Sequence, residues 1–251
     1  MENLSLVSLS RQVALERELD VVANNIANIN TTGYKTDGAL FEEYLSPSAR
    51  AGGSTPVSFV RDRGVWHNMS QGPVEHTGNP LDVAIDGQGF LTVQTPGGVR
   101  YTRNGALQIN ATGQLVTSDG YQVMGDRGPI TLQPTDHQVS ISRDGTISVR
   151  EGTSNVDSLR GKLKLVSIDN PGQLQKAGSS TFNFTGDGAP PPNTKAGLIQ
   201  GAVEKSNVRG VVEMSRMIEI TRAYTQIASL LQQQSDQGTQ AIDKLADVPT
   251  A

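Results

Sequence analysis

The sequence predicts an α+β fold, with long N- and C-terminal helices forming a coiled-coil layer that flanks a central all-β domain. Three observations carry this expectation. Apolar residues recur at helical seam spacing near both ends, the period changes to two in between, and turn formers are abundant. With 27 Gly and 12 Pro among 251 residues, Gly and Pro together exceed their usual combined share. Its length suffices for one large domain or two small ones with a real hydrophobic core.

Residues 1–33 read as the N-terminal helix. Leu15, Leu19, Val22, Ile26 and Ile29 lie alternately four and three residues apart, which keeps one narrow seam on one side of a helix. Thr31, Thr32 and Gly33 stop it, with Gly33 as a left-handed cap. Residues 34–73 form a weakly patterned connector, expected to be mobile in the isolated chain. Ser46-Pro47-Ser48 and Ala51-Gly52-Gly53-Ser54 interrupt it, and only Val57 to Val60 and Val65-Trp66 look strand-like.

Residues 74–204 form the all-β domain. Leu81, Val83 and Ile85 alternate with other residues, and Asp86-Gly87 turns the chain into Phe90 to Val93. Asn104-Gly105, Asp119-Gly120, Asp126-Arg127-Gly128 and Asp144-Gly145 follow at close intervals, each between short runs rich in Val, Ile, Leu and Thr. Leu163 to Val166 is a further strand, and Gly186 to Pro192 a surface loop. Residues 205–251 close the chain as the C-terminal helix, capped by Ser206 or Asn207 and ended by Pro249. Met217, Ile220, Tyr224, Ile227, Leu231, Gln234, Gly238, Ala241 and Leu245 alternate three and four apart, a heptad seam.

Composition removes several functions. The 21 basic and 25 acidic side chains give a net charge of −4 without a dense basic patch, so nucleic acid is not an expected partner. Zero cysteines exclude disulfides, thiolate catalysis and Cys-ligated metals. No apolar run suits membrane insertion, and Arg11, Glu16, Arg17, Glu18 and Asp20 fall where a cleaved Sec signal would need an uncharged core. On these grounds alone the chain reads as cytosolic, unless an export route leaves its substrate uncleaved. His67, His76 and His137 lack the spacing of a metal pair, Gly87-Gln88-Gly89 precedes a strand and reads as a turn, and Glu42-Glu43 suit surface solvation. No nucleophile or acid stands beside a base partner, so a cell-wall hydrolase is disfavoured. The expectation is a non-enzyme without cofactor or metal.

Neither helix can bury a two-in-seven seam by itself, and the β domain satisfies its own faces. The two ends must pair with each other or with other chains. Val21 to Tyr34 and Ala223 to Ser235 carry no charge, yet are filled with Asn24, Asn25, Asn28, Asn30, Gln226, Gln232, Gln233 and Gln234. Asn is a poor helix former, so the run suggests amides used for contacts. Two readings stay open: an intramolecular hairpin with its amides in water, and a helix sheath in a polymer, whose ends gain order only with partners. The second explains both uncharged segments at once. Its interface comprises Leu15, Leu19, Val22, Asn25, Ile26, Asn28 and Ile29, together with the nine seam residues from Met217 to Leu245. A soluble adaptor docking one partner through its helices is the rival.

Four blocks carry a resemblance. Ala23 to Lys35 reads ANNIANINTTGYK, Gly78 to Phe90 reads GNPLDVAIDGQGF, and Tyr101 to Gly105 reads YTRNG. Glu204 to Val208 reads EKSNV, followed by Val212-Glu213-Met214, Met217-Ile218 and Arg222-Ala223-Tyr224. In this order they resemble the rod and hook family of bacterial flagellar axial proteins, and Val123 to Thr131 looks most like its proximal-rod branch, with the distal rod as runner-up. The resemblance implies paired terminal helices as an inner coiled-coil layer and the β domain outside. It also implies export through the flagellar type III apparatus without a cleaved signal, and polymerisation with other rod proteins into a periplasmic shaft transmitting torque.

Overall fold

Why the two ends of this chain belong together is visible in how it divides. The computed structural model describes residues 2–45, 58–152, 156–178 and 180–246. One unit gathers Met1–Ala27, Asp37–Trp66 and Arg209–Ala251, the other Asn28–Thr36 and His67–Val208.

The helical unit is built on α1 (Glu2–Ala27) and α2 (Gly210–Ala246), of 26 and 37 residues. The first helix ends at Ala27, short of the expected Gly33. A turn follows, in which the Thr31 N–H donates to the Asn28 carbonyl at 3.1 Å and the Thr31 hydroxyl to the Asn28 side-chain oxygen at 3.1 Å. Short polar side chains that bond locally compete with the helix for backbone groups, which is why the Asn-rich run leaves it early. Gly33 does take a left-handed φ of 69°, but within the β unit rather than as a helix cap.

Strands β1 (Asp37–Leu45) and β2 (Ser58–His67) pair as a two-stranded ribbon where the sequence suggested only a connector. The β1 pattern is weak partly because Gly38 stands where an apolar side chain would signal a strand. A Cβ on Gly38 would come within 2.3 Å of the Trp66 ring nitrogen, so the glycine makes room for the indole. The turn-rich stretches 46–48 and 51–54 and Val57 lie outside the described residues.

The β unit carries the short strands that the turn signals announced. They are β3 (Val74–His76), β4 (Val83–Asp86), β5 (Phe90–Thr95), β6 (Gly98–Thr102), β7 (Leu107–Ile109), β8 (Leu115–Thr117), β9 (Gln122–Gly125) and β10 (Gly128–Pro129). Then come β11 (Asp136–Ile141), β12 (Thr146–Glu151), β13 (Asp157–Lys162), β14 (Leu165–Val166), β15 (Leu174–Lys176), β16 (Thr181–Phe184), β17 (Gly197–Gln200) and β18 (Ala202–Glu204). The largest sheet runs β15-β16-β6-β5-β9-β8-β7, with β10 on β9 and β14 on β5. Strands β11, β12 and β13 form a second sheet, while β17 pairs with β4 and β18 with β3.

Alternation along β5 shows how the core is divided. Leu91 and Val93 enter the main cluster with Val83, Ile85, Leu107 and Leu163, whereas Phe90 enters a smaller cluster with Tyr101, Val166, Leu174 and Phe182. Each fully buried aliphatic or aromatic side chain contributes about 1.5–3 kcal/mol relative to exposure.

Candidate assembly interface

On α2 the covered positions follow the seam read from the sequence. Met217, Ile220, Tyr224, Ile227, Leu231, Gln234 and Gly238 are buried or half-buried, and Glu213 begins the row one step earlier. On α1, Val22 and Asn25 are buried and Leu15, Leu19 and Ile26 half-buried. Cross-helix bonds set the direction. Gln12 donates to the Tyr224 hydroxyl at 3.0 Å, Arg216 to Glu18 at 2.6 Å, and the Asn25 amide to Glu213 at 3.2 Å. As the α1 number rises its α2 partner falls, so the helices run antiparallel. The Ala241 and Leu245 side chains lie outside the described residues.

Asn25 anchors the seam's end. Its amide nitrogen also donates to the Asp37 carbonyl at 2.8 Å, and its oxygen accepts from the Asp37 N–H at 2.9 Å. The amide thereby ties β1 to α1 while satisfying Glu213, a use of asparagine that composition could only suggest. Asn28 and Ile29 lie beyond the helix, Asn28 half-buried and Ile29 exposed, so neither extends the α1 seam. No described atom lies within 4 Å of a Cβ built on Gly238, so contact with the described residues does not account for that glycine.

A second row of apolar residues stays open. On α2, Val211, Met214 and Ile218 are 77%, 52% and 53% exposed. Their spacing of three and four puts them on one side of the helix, away from the seam. On α1, Leu9 and Val13 are likewise exposed one turn apart. Among the described residues no helix is long and apolar enough to cross a membrane, and no three His, Asp or Glu residues come together as metal ligands.

Within the β unit all four signature blocks converge on one buried cluster. Lys35 and Glu204 are 0% exposed, and Lys35 Nζ lies 2.5 Å from Glu204 Oε1. Arg103 holds the other carboxylate oxygen at 2.7 Å, donates to the Gly89 carbonyl at 3.0 Å and to the Gly87 carbonyl, and lies over the Phe90 ring. Gly72 N–H and the Ser70 carbonyl complete the shell, at 2.9 Å from Glu204 and 2.6 Å from Lys35. Burial pushes the Lys35 ammonium below its ordinary value, against the pull of Glu204 toward the charged form.

This cluster fixes two stretches of chain side by side. Gly33 N–H donates to the Glu204 carbonyl at 2.8 Å, and Asn207 accepts from both the N–H and hydroxyl of Thr36 at 2.8 and 2.7 Å. A Cβ on Gly33 would come within 2.4 Å of the Asn104 nitrogen, so contact and φ both demand glycine. Lys35, Arg103, Glu204 and Asn207 were visible as motif letters, but nothing in a single sequence paired residues so far apart.

Comparison with known proteins agrees with this convergence. Residues 6–35 match the family described as flagella basal body rod protein, and residues 199–243 the flagellar basal body rod FlgEFG protein C-terminal family. Residues 84–149 match the flagellar hook protein FlgE/F/G D1 domain. The flagellar basal-body rod protein FlgF of Caulobacter vibrioides is 41% identical over 99% of this chain and 100% of its own length. FlgF of Mesorhizobium japonicum is 34% identical over 98% of both, and the rod protein FlgG of Buchnera aphidicola is 33% identical over 92% of this chain and 95% of its own. This chain belongs to the flagellar basal-body rod protein family.

Proposed function

We propose that this rod-family protein is a non-enzymatic structural subunit of the proximal rod, which assembles with other rod proteins into the torque-bearing shaft crossing the periplasm. The carrying observation is the open apolar row on α2. The chain pairs its own seam, as the hairpin reading requires, and still presents Val211, Met214 and Ile218, as the sheath reading requires. Exposed apolar rows of this kind mark interaction surfaces, and a neighbouring subunit's helices would cover them in a coiled-coil layer. On this reading the seam residues of α1 and α2 and Asn25 form the intrachain half of the layer, while Gly238 and Ala241 admit a close neighbour.

The proximal assignment draws on the higher identity to FlgF of C. vibrioides than to FlgG of B. aphidicola. Passage through the flagellar type III export apparatus, without a cleaved signal, accounts for a periplasmic shaft component whose first helix carries Arg11, Glu16, Arg17, Glu18 and Asp20. No cofactor, nucleic acid or membrane insertion enters this role.

The test is a deletion strain whose basal bodies are imaged. Rods missing from the deletion and restored by the wild-type gene support the proposal; complete rods and normal swimming without the gene contradict it. Gly238→Leu in the same strain is expected to block rod completion while the purified variant keeps the spectroscopic signature of a folded β unit.

A further inference from the structure

We propose that a cavity of about 380 Å³ on the β unit binds an acidic side chain presented by another polypeptide. The site lies on the sheet face opposite Leu91 and Val93 and does not depend on the helical surfaces. In register, Thr92 of β5 stands beside Tyr101 of β6. Thr92 N–H donates to the Lys164 carbonyl at 3.2 Å, and Lys164 N–H to the Met124 carbonyl at 3.0 Å. Four neighbouring stretches thus bring Tyr101, Thr92, Lys164 and Met124 to one row of the sheet. Val99 and Val166 add apolar wall, and the Gly188–Pro190 loop stands at the side.

The polar groups of this row are left over by the fold. Thr92 is 3% exposed, and its hydroxyl has no hydrogen-bond partner. A buried hydroxyl without a partner lowers stability, so an apolar residue of the same shape would serve the sheet better. Among the described residues the Tyr101 hydroxyl and Lys164 ammonium also make no hydrogen bond or ion pair, although both residues line the cavity. Burial raises the Tyr101 phenol above its ordinary value, which keeps it a proton donor.

Two hydroxyls and one ammonium between apolar walls match a carboxylate on a short aliphatic stem. The acid facing them is Asp126, which is exposed and lines the cavity. It favours a ligand that turns its carboxylate toward Lys164 and its N–H groups toward Asp126. A glutamate in a peptide chain has both; a free fatty acid has only the first.

The experiment titrates the full-length, ¹⁵N-labelled protein with the blocked tripeptide Ac-Leu-Glu-Leu-NH₂, its glutamine counterpart and isovalerate. Saturable shifts at Thr92, Tyr101, Met124 and Lys164 are expected for the glutamate peptide. Binding should weaken at least about tenfold for the glutamine peptide, for isovalerate, and in Lys164→Gln. Thr92→Val should raise the melting temperature and weaken binding together. Absence of saturable shifts at these residues, or equal affinity in Lys164→Gln, overturns the site. Isovalerate binding as tightly as the peptide overturns the polypeptide as its ligand.

Discussion

In the β unit, Leu91, Val93, Ile85 and Leu163 are sealed from solvent, and even a lysine, an arginine and a glutamate are buried with their partners. In the helical unit the seam is covered from Glu213 to Gly238, yet Val211, Met214 and Ile218 stand in the open on the same helix. The β unit buries its two apolar clusters and pairs the charges of Lys35, Arg103 and Glu204 internally. The helical unit satisfies one face and leaves another. A chain of this kind can keep a rigid body of fixed shape while reserving its adhesive surface for neighbours, a division of labour suited to a subunit of an assembly.

The sharpest way to break the closure of the β unit is to remove its central anion. Glu204→Leu leaves Lys35 and Arg103 buried without their counter-charge and is expected to cost about 3–5 kcal/mol in urea unfolding. Glu204→Gln, which keeps an acceptor, should cost less. A loss below about 1 kcal/mol in both would mean that the cluster does not hold the signature blocks together.

The contrast between the two faces of α2 is sharpened by a pair of substitutions. Ile220→Ala, in the covered seam, is expected to cost about 2–5 kcal/mol. Ile218→Ala, on the open face, should stay within about 0.5 kcal/mol of wild type. Equal losses at both positions would erase the distinction between satisfied and reserved faces.

A smaller effect concerns acid. Two bonds from Arg160, at 2.5 and 2.7 Å, hold the Asp136 carboxyl below its ordinary value of 3.8. A carboxylate whose folded value is depressed contributes stability above the unfolded value and loses it as pH falls through the folded one. Stability should therefore decline below about pH 3.8, and less steeply in Asp136→Asn, as followed by thermal melts across that range. Lys35 acts in the opposite region. Its folded value is lowered from 10.5, so its own contribution grows as pH rises from the folded value toward 10.5.

Much of this architecture was legible in the sequence because period and turn chemistry are local signals. The α2 seam repeats over several turns, so from Met217 to Gly238 its burial follows its spacing residue by residue. The Asp-Gly and Asn-Gly turns divided the β unit correctly for the same reason. What stayed hidden depends on distant partners. Strand β1 carries Gly38 where an apolar residue would have announced it, because Trp66 fills the space from the other strand. The end of α1 was placed too late, since the Asn28 and Thr31 side chains, rather than the Gly33 cap, stop the helix. The buried cluster joins Lys35 to Glu204, and only folding brings those letters together. The open row from Val211 to Ile218 had no signal of its own, because an apolar residue on a helix reads the same whether it is covered or exposed.

The central claim is that the open face of α2 is reserved for neighbouring subunits and adds nothing to the chain's own fold. The direct measurement pairs the melting curve of purified Ile218→Asp with the swimming of cells that carry it as their only copy. The account predicts an unchanged melt with rods that fail to complete and cells that do not swim. An unchanged melt with normal rods and normal swimming would contradict it.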